Sequence, residues 1–399
     1  MLYQYIIGYI TLCIAPLYAG LSSNVLFQNY PALQNKLSYV SLGDFPTPIY
    51  ACKNMHELFP NANLFIKHDG MTGKIGTDGK RTFGGNKLRK LQYLLADAVA
   101  HGHTHTITFG AVGSNHALQT TVLAQQLGLK PICLLKPQPN SHVVQRNLLL
   151  QKAYGAELCF AEDKTLFGMM AAALCYQHKQ QSGEFPYIIP VGGSCALGAV
   201  GYVEAAFELK QQIDAGTMPV PDRIYVTLGS GGTAAGLLLG LQAAGIATKI
   251  LLVIEEPAIV AASSLAKVKR LFKEANNLLR MHDVRFPCCD IEKSNYEIID
   301  DCGGDAYGLF TPECVEAMQL MYRYESIQLD GTYTGKCAAA LLRDLKTGAY
   351  DGQTVLFWNT FCSDDFTDIT TTVDYHDLPQ AFHRWFEEDV QPLDRSISS

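Results

Sequence analysis

Three short stretches carry residue types that could do chemistry. In Gly84-Gly85-Asn86-Lys87-Leu88-Arg89-Lys90-Leu91 a lysine opens an amphipathic helix directly behind two glycines. A lysine amine forms Schiff bases with carbonyl compounds, and paired glycines let a backbone approach a bound ring closely. A lysine at a helix start is ordinarily a solvated surface charge, so this stretch needs support from elsewhere in the chain. The second stretch, Gly229-Ser230-Gly231-Gly232 followed by Thr233, lies between an apolar strand pattern and a helix pattern. Glycines there leave NH groups free to converge on an anion, and the helix start adds partial positive charge, so the loop reads as a phosphate cradle. It has neither the lysine of a nucleotide P-loop nor the spacing of a dinucleotide fingerprint, which points to a smaller phosphate. The third stretch, Gly113-Ser114-Asn115-His116, also stands where a strand gives way to a helix, and Ser114 suits the cap of that helix.

The elements that must position these residues recur as strand, tight loop, helix, strand. One unit runs through a strand at 106–109, the loop 110–114, a helix at 115–127 closed by Gly128, and a strand at 131–135. The second has a strand at 223–228, the glycine loop, a helix at 233–244 and a strand at 249–254. Further strands are expected at 63–67, 157–160 and 354–358. Helices are expected from Asn86 to Gly102, at 143–153, at 262–283, from Pro312 and at 337–345. Such units build an α/β protein whose parallel sheets carry right-handed crossovers. Asn359-Thr360 closes the last strand, where parallel sheets place their sites. A surface helix is expected near 378–386 with Trp385 inward.

The chain has 399 residues, nearly half apolar, and a formal net charge of −7. With no basic block or stripe, neither nucleic acid nor an anionic membrane surface is expected as partner, and a small molecule is. Twelve cysteines are scattered; the adjacent Cys288-Cys289 matches no zinc or redox spacing, so most read as reduced core thiols. His101, His103 and His105 could share a strand face, but no cysteine or carboxylate completes a metal set; they read as a helix end running into a strand. No metal is expected. The stretch 5–19 is apolar, and no charged side chain precedes Lys36. It resembles the core of an export leader but lacks the preceding basic residue, and it is too short for a stable membrane span. A cytoplasmic protein is expected, with export through a leader in residues 1–20 as the alternative.

In this order the motifs resemble the pyridoxal phosphate enzymes of the tryptophan synthase β-type fold, and among them the D-cysteine desulfhydrase and 1-aminocyclopropane-1-carboxylate deaminase family. The likeness spans about residues 38–365. It implies fold type II, with two open, twisted, mainly parallel sheets and helices on both faces. It also implies a homodimer and pyridoxal 5'-phosphate as cofactor. The expected division is an apolar N-terminal segment at 1–35, a large cofactor domain of 36–88 plus 205–399, and a small domain at 89–204. By resemblance Lys87 carries the Schiff base and Lys90 binds the cofactor phosphate with Gly229, Ser230, Gly231, Gly232 and Thr233. Asn115 would meet the pyridine 3-oxygen, while Ser114 would contact the substrate carboxylate or shuttle a proton, with His116 in the same substrate loop. Gly192-Gly193-Ser194, Gly198, Gly201 and Tyr202 resemble the crossing back between domains. Tyr307 and Tyr333 stand where the family has two active-site tyrosines.

Two positions separate the sister activities. Deaminases of the family carry glutamate after the second tyrosine and leucine in the last strand's motif, whereas Thr334 and Thr360 stand here. A hydroxyl near the ring nitrogen leaves it more nearly neutral than a carboxylate does. That favours β-elimination from a D-amino acid, D-cysteine first, giving pyruvate, ammonia and hydrogen sulfide. The alternatives are 1-aminocyclopropane-1-carboxylate deamination and a protein that binds pyridoxal phosphate without turnover. The chain departs from the family at Phe361-Cys362, where two glycines are usual, and in the basic segment 70–82 with Lys74, Lys80 and Arg81.

Overall fold

The computed structural model describes residues 24–77, 79–163 and 165–396. The expectation of a leader in residues 1–20 lies outside them. Two short helices, α1 (Val25–Asn29) and α2 (Pro31–Gln34), come first. Strands β1 (Ile49–Ala51) and β2 (Asn63–His68) follow, then helix α3 (Lys87–Ala100) and strand β3 (His105–Ala111). Next come α4 (Asn115–Gln126), β4 (Lys130–Lys136), α5 (His142–Ala153), β5 (Glu157–Phe160), α6 (Phe167–Ser182), β6 (Tyr187–Ile189) and α7 (Ala196–Asp214). The chain continues through β7 (Arg223–Leu228), α8 (Gly232–Ala243), β8 (Lys249–Ile254), α9 (Ala261–His282), β9 (Tyr296–Ile299), α10 (Pro312–Glu325), α11 (Thr334–Lys346) and β10 (Thr354–Asn359).

The strands form two sheets. The larger has the order β1-β2-β10-β7-β8-β9, parallel throughout except for the antiparallel edge strand β1. The smaller, β5-β4-β3-β6, is all parallel. Helices cover both faces of the larger sheet: α7, α8 and α9 contribute to one apolar core and α10 and α11 to another. This is the expected α/β architecture. Strands buried on both faces, such as Lys249–Ile254 and Thr354–Asn359, read as continuous apolar runs, which is why the sequence revealed them. Strands β1, β6 and β9 and helix α6 escaped notice. The strands are three and four residues long, and α6 buries only His178, so none shows a clear period.

Helix α3 lies between the units, packed on α7 and on α4. Its leucines at 88, 91, 94 and 95 are buried, at about 1.5–3 kcal/mol each. Hydrophobic burial therefore settles where α3 lies and carries the charged residues between the leucines inward. Arg89 enters a closed network of charges. Its guanidinium donates to Asp69 (Nη2 to Oδ1, 2.8 Å) and to Glu208 (Nη1 to Oε2, 3.0 Å), while Lys67 Nζ donates to Glu208 Oε1 at 2.6 Å. The Tyr202 hydroxyl and the Trp358 indole NH complete Asp69 at 2.7 and 2.8 Å. Two cations and two carboxylates balance, and all four side chains are buried.

Two segments pack in ways the expected division does not describe. Within residues 24–35, Leu26, Phe27 and Leu33 join the α7–α8 core, and Asn24 Nδ2 donates to the Tyr93 hydroxyl at 2.9 Å. The C-terminal stretch, assigned from sequence to the large unit, packs Leu378, Phe382 and Trp385 against Val112, Val144 and Leu148 of the small one. Instead of one helix it forms two short turns, Gln380–Phe382 and Arg384–Glu387. Among the described residues no helix is long and apolar enough to cross a membrane. His101, His103 and His105 fall from the end of α3 to the start of β3, and no group of His, Cys, Asp or Glu in the described residues could hold a metal ion.

Burial pushes the Glu208 carboxyl up, but Arg89 and Lys67 together bring it down to about 2. Glu208→Ala leaves two buried cations on one carboxylate and should cost about 3–5 kcal/mol, read as a lower urea midpoint. A carboxyl with a depressed folded pKa stabilises above its unfolded value and loses that contribution as pH falls toward the folded one. The gap between wild type and variant should therefore shrink as pH is lowered from 4.5 to about 2.

Candidate active site

The C-terminal ends of β7, β8 and β10 and the loop after β3 open into one cleft of about 540 Å3. Small-ligand sites span roughly 300–1,000 Å3. Lys87, Ser114, Asn115, His116, Gly229, Ser230, Gly231, Thr233, Tyr307, Tyr333 and Thr360 all line it. These residues come from distant parts of the chain, and the fold brings them together. Lys90 and Gly232 sit just behind this lining, at the glycine loop, and Thr334 stands apart. It lies beneath the wall, fully buried, and its hydroxyl donates to Asp330 Oδ1 at 2.6 Å and accepts the Asp330 NH at 2.9 Å. Its place at the start of α11 makes it a partner of Asp330 rather than of a ligand.

Lys87 is the first residue of α3. Gln119 of α4 holds this helix start: its Oε1 accepts the Lys87 NH at 3.0 Å and its Nε2 donates to the Gly84 carbonyl. The two glycines do not face the cleft. A Cβ on Gly84 would stand 2.3 Å from the Gly70 carbonyl, and Gly85 adopts φ +113° against Gln119. They permit close packing of chain on chain, not approach to a ligand as expected from sequence. The Lys87 amine donates to Asn86 Oδ1 at 2.8 Å. Burial lowers its pKa to about 8, against the opposing pull of Glu255, Asp330 and Asp69. A substantial share of the amine is therefore neutral and nucleophilic near pH 8.

The glycine loop meets a cation and two hydroxyls. Gly231 adopts a left-handed φ of +90° at the start of α8. A Cβ on Gly232 would stand 2.7 Å from Ser194 Oγ and 3.0 Å from Lys90 Nζ. Ser194 Oγ accepts the Gly232 NH at 3.1 Å and bonds Ser230 Oγ at 2.7 Å. Lys90 is buried, donates to the Gly192 carbonyl at 3.0 Å and has no carboxylate partner among the described residues. Burial, then Lys87, holds its pKa well below the ordinary value. A helix start, small residues, hydroxyls and an unpaired buried ammonium form the donor set that a phosphomonoester dianion requires, so these residues fit the phosphate of pyridoxal phosphate.

Opposite stand the tyrosines, with hydroxyl oxygens 2.5 Å apart. Burial raises both pKa values, so both keep their protons. Asp330 holds Tyr333 in place by accepting its NH at 3.1 Å and the Thr334 NH at 3.0 Å. Ser114 Oγ accepts the Ala117 NH at 3.2 Å, so Ser114 caps α4 while lining the cleft. His116 Nε2 pairs with Thr108 Oγ1 at 3.0 Å; burial, then Lys87 and Lys90, keeps the ring neutral.

Sequence reasoning missed Ser194 as part of the glycine-loop site, along with Gln119 and Glu255. Glu255 follows β8 directly, the position where Thr360 was noticed after β10. A Cβ on Gly229 would stand 2.5 Å from Glu255 Oε1, so only glycine there admits this carboxyl. Burial pushes Glu255 up to about 8, leaving it protonated at neutral pH. Lys74, Lys80 and Arg81 do not line the cleft. Lys74 donates to the Ser41 carbonyl, Lys80 pairs with Asp368, and Arg81 donates to the Gly73 carbonyl.

Comparison with known proteins bears on this geometry. The family model described as pyridoxal-phosphate dependent enzyme matches residues 40–360. A protein of Pyrococcus furiosus, named provisionally as a 1-aminocyclopropane-1-carboxylate deaminase, is 34% identical over 336 residues, covering 82% of this chain and 93% of its own. Its counterpart in Pyrococcus horikoshii is 35% identical over 335 residues with the same coverage. Among solved structures, one described as an ACC deaminase homologue superposes with a TM-score of 0.70 at 31% identity, over 89% of this chain and 98% of that one. A fungal L-serine ammonia-lyase from Rhizomucor miehei superposes at 0.54 with 18% identity, over 84% and 98%, and shares the fold. The chain belongs to the pyridoxal-phosphate dependent enzymes of fold type II, and within them to the group typified by 1-aminocyclopropane-1-carboxylate deaminase and D-cysteine desulfhydrase.

Proposed function

We propose that this enzyme eliminates the β-substituent of a D-amino acid, with D-cysteine as substrate: D-cysteine and water give pyruvate, ammonia and hydrogen sulfide. The observation that carries the reading is a partly neutral Lys87 amine in a cleft whose wall at 360 carries a threonine. When bound, pyridoxal phosphate supplies an aldehyde that takes up an amine and a ring that draws electrons from the α-carbon. The chain's own residues do the rest. Lys90, Ser194, Ser230 and the start of α8 hold the phosphate. Lys87 would offer its amine to the aldehyde and, when free, would accept the substrate's α-proton at Nζ. The Tyr307–Tyr333 pair holds a proton at 2.5 Å that can pass to the leaving sulfur. The Phe361 ring fills wall space and favours a small, unbranched substrate.

A second reading, ring opening of 1-aminocyclopropane-1-carboxylate to 2-oxobutanoate and ammonia, is favoured by the names of the Pyrococcus relatives. That substrate has no α-proton for Lys87 to take, so it does not use the arrangement described above.

Incubation with D-cysteine should release pyruvate and sulfide together, and Lys87→Ala should abolish both along with the cofactor's absorbance band. Keto acid from 1-aminocyclopropane-1-carboxylate without sulfide from D-cysteine would select the second reading. A band that survives in Lys87→Ala would point to binding without turnover. Because the amine must be neutral to condense, the rate of cofactor uptake by stripped protein should rise with pH through about 8 and then level, followed by stopped-flow absorbance.

A further inference from the structure

Behind Asn115 lies a chain of side-chain contacts that the reaction outlined above does not use. Asn147, on α5 and fully buried, donates from Nδ2 to the Gly113 carbonyl at 2.9 Å and to Asn115 Oδ1 at 2.9 Å. Its Oδ1 accepts from Arg146 twice, from Nε at 3.2 Å and from Nη2 at 3.0 Å. Arg146 makes its side-chain hydrogen bonds to Asn147, and its guanidinium lies 5.5 Å from the centroid of the Phe361 ring.

Amide oxygen and nitrogen are hard to tell apart by shape, but here the partners decide. A guanidinium only donates and a backbone carbonyl only accepts. Asn147 must therefore turn its oxygen to Arg146 and its nitrogen to Gly113. The second hydrogen on that nitrogen needs an acceptor, which only the oxygen of Asn115 can supply. Asn115 then has one remaining orientation, with Nδ2 free of any acceptor among the described residues, on a side chain that lines the cleft.

We infer that Asn147, held by Arg146, is a positioning residue that locks the Asn115 amide with its donor facing the cleft, where it meets the phenolic oxygen of pyridoxal phosphate. This rests on the reading of the cleft as the cofactor site. A fixed donor costs no reorientation when the oxygen arrives as an anion, and a neutral–anion hydrogen bond is about twice as strong as a neutral pair. A freely turning amide would present its oxygen part of the time and repel the same group.

The test uses the cofactor-loaded protein and the pH titration of its absorbance band, which reports the proton shared between the Lys87 nitrogen and the phenolic oxygen. Asn147→Asp keeps size and pairs with Arg146, but it places an acceptor against Asn115 and reverses that amide. The titration midpoint should rise by about one pH unit or more, because the anionic oxygen loses its donor. Arg146→Met should shift it in the same direction by less, and Arg146→Lys, which still donates to Asn147, should restore the wild-type midpoint. This second pair decides the matter if Asn147→Asp fails to fold. A wild-type midpoint in Asn147→Asp, or in Arg146→Met if only that variant folds, overturns the inference while leaving the cofactor reading intact. Failure of the unaltered protein to develop the band overturns the reading beneath it.

Discussion

The structure depends on Arg89. An arginine buried in a protein is tolerable only when its donors are matched and its charge balanced, since removing ions from water costs several kcal/mol each before pairing. Here the match is complete. Asp69 comes from the end of β2, Glu208 from α7, Lys67 from β2 and Trp358 from β10, so one guanidinium ties the lysine helix to the larger sheet and to its covering helix. A network with no unmet member is rigid, because any displacement exposes an unpaired charge in a dry interior.

This anchoring explains the direction in which the chemistry points. Successive helix residues turn by about 100°, so Arg89 projects about 200° from Lys87, while Lys90 returns to within about 60° of it. Locking Arg89 into the carboxylates on one side forces Lys87 and Lys90 to the other, toward the cleft. The two lysines then separate by depth. Lys90, one turn on, reaches Gly192 and the glycine loop, whereas Lys87 stays at the mouth of the helix beside Asn86. On the proposed reading, one helix thus supplies both the amine for covalent chemistry and the cation for phosphate.

Much of this was legible in the sequence, and the reason is local encoding. Glycines after apolar strands, leucines at helical spacing, and a lysine behind a tight turn each record a backbone requirement within a few residues. The contributions that escaped are those encoded by contact across the chain. Gln119 holds the start of α3 from 32 residues away, and Ser194 reaches Gly232 across 38. Nothing near Gln119 marks it, and the glycines before Ser194 mark a crossing of the chain rather than a partner of the glycine loop. Thr334 shows the converse: its neighbours place it next to a cleft-lining tyrosine, yet the hydroxyl turns inward because Asp330, four residues back, caps the same turn. Gly84 and Gly85 were informative about a tight turn but not about what presses against it, which proves to be Gly70 and Gln119. Residues 24–35 lacked any periodic pattern, since helices of five and four residues are too short to show one.

Charge in the cleft has a single logic. Burial lowers Lys87 and Lys90 and raises Glu255, so the dry site disfavours the charged form of these three groups. On the proposed reading, a phosphate dianion would change that balance on one side only. It would restore the charge of Lys90, which faces the loop, but it would gain nothing from Glu255 unless that carboxyl kept its proton. The same burial that weakens an unpaired ammonium therefore protects the cradle from a competing anion, and Gly229, which admits the carboxyl, belongs to that arrangement as much as to the loop's geometry. The role proposed for Lys87 gains from the opposite condition: it requires a neutral amine, and the burial that lowers Lys90 lowers Lys87 as well.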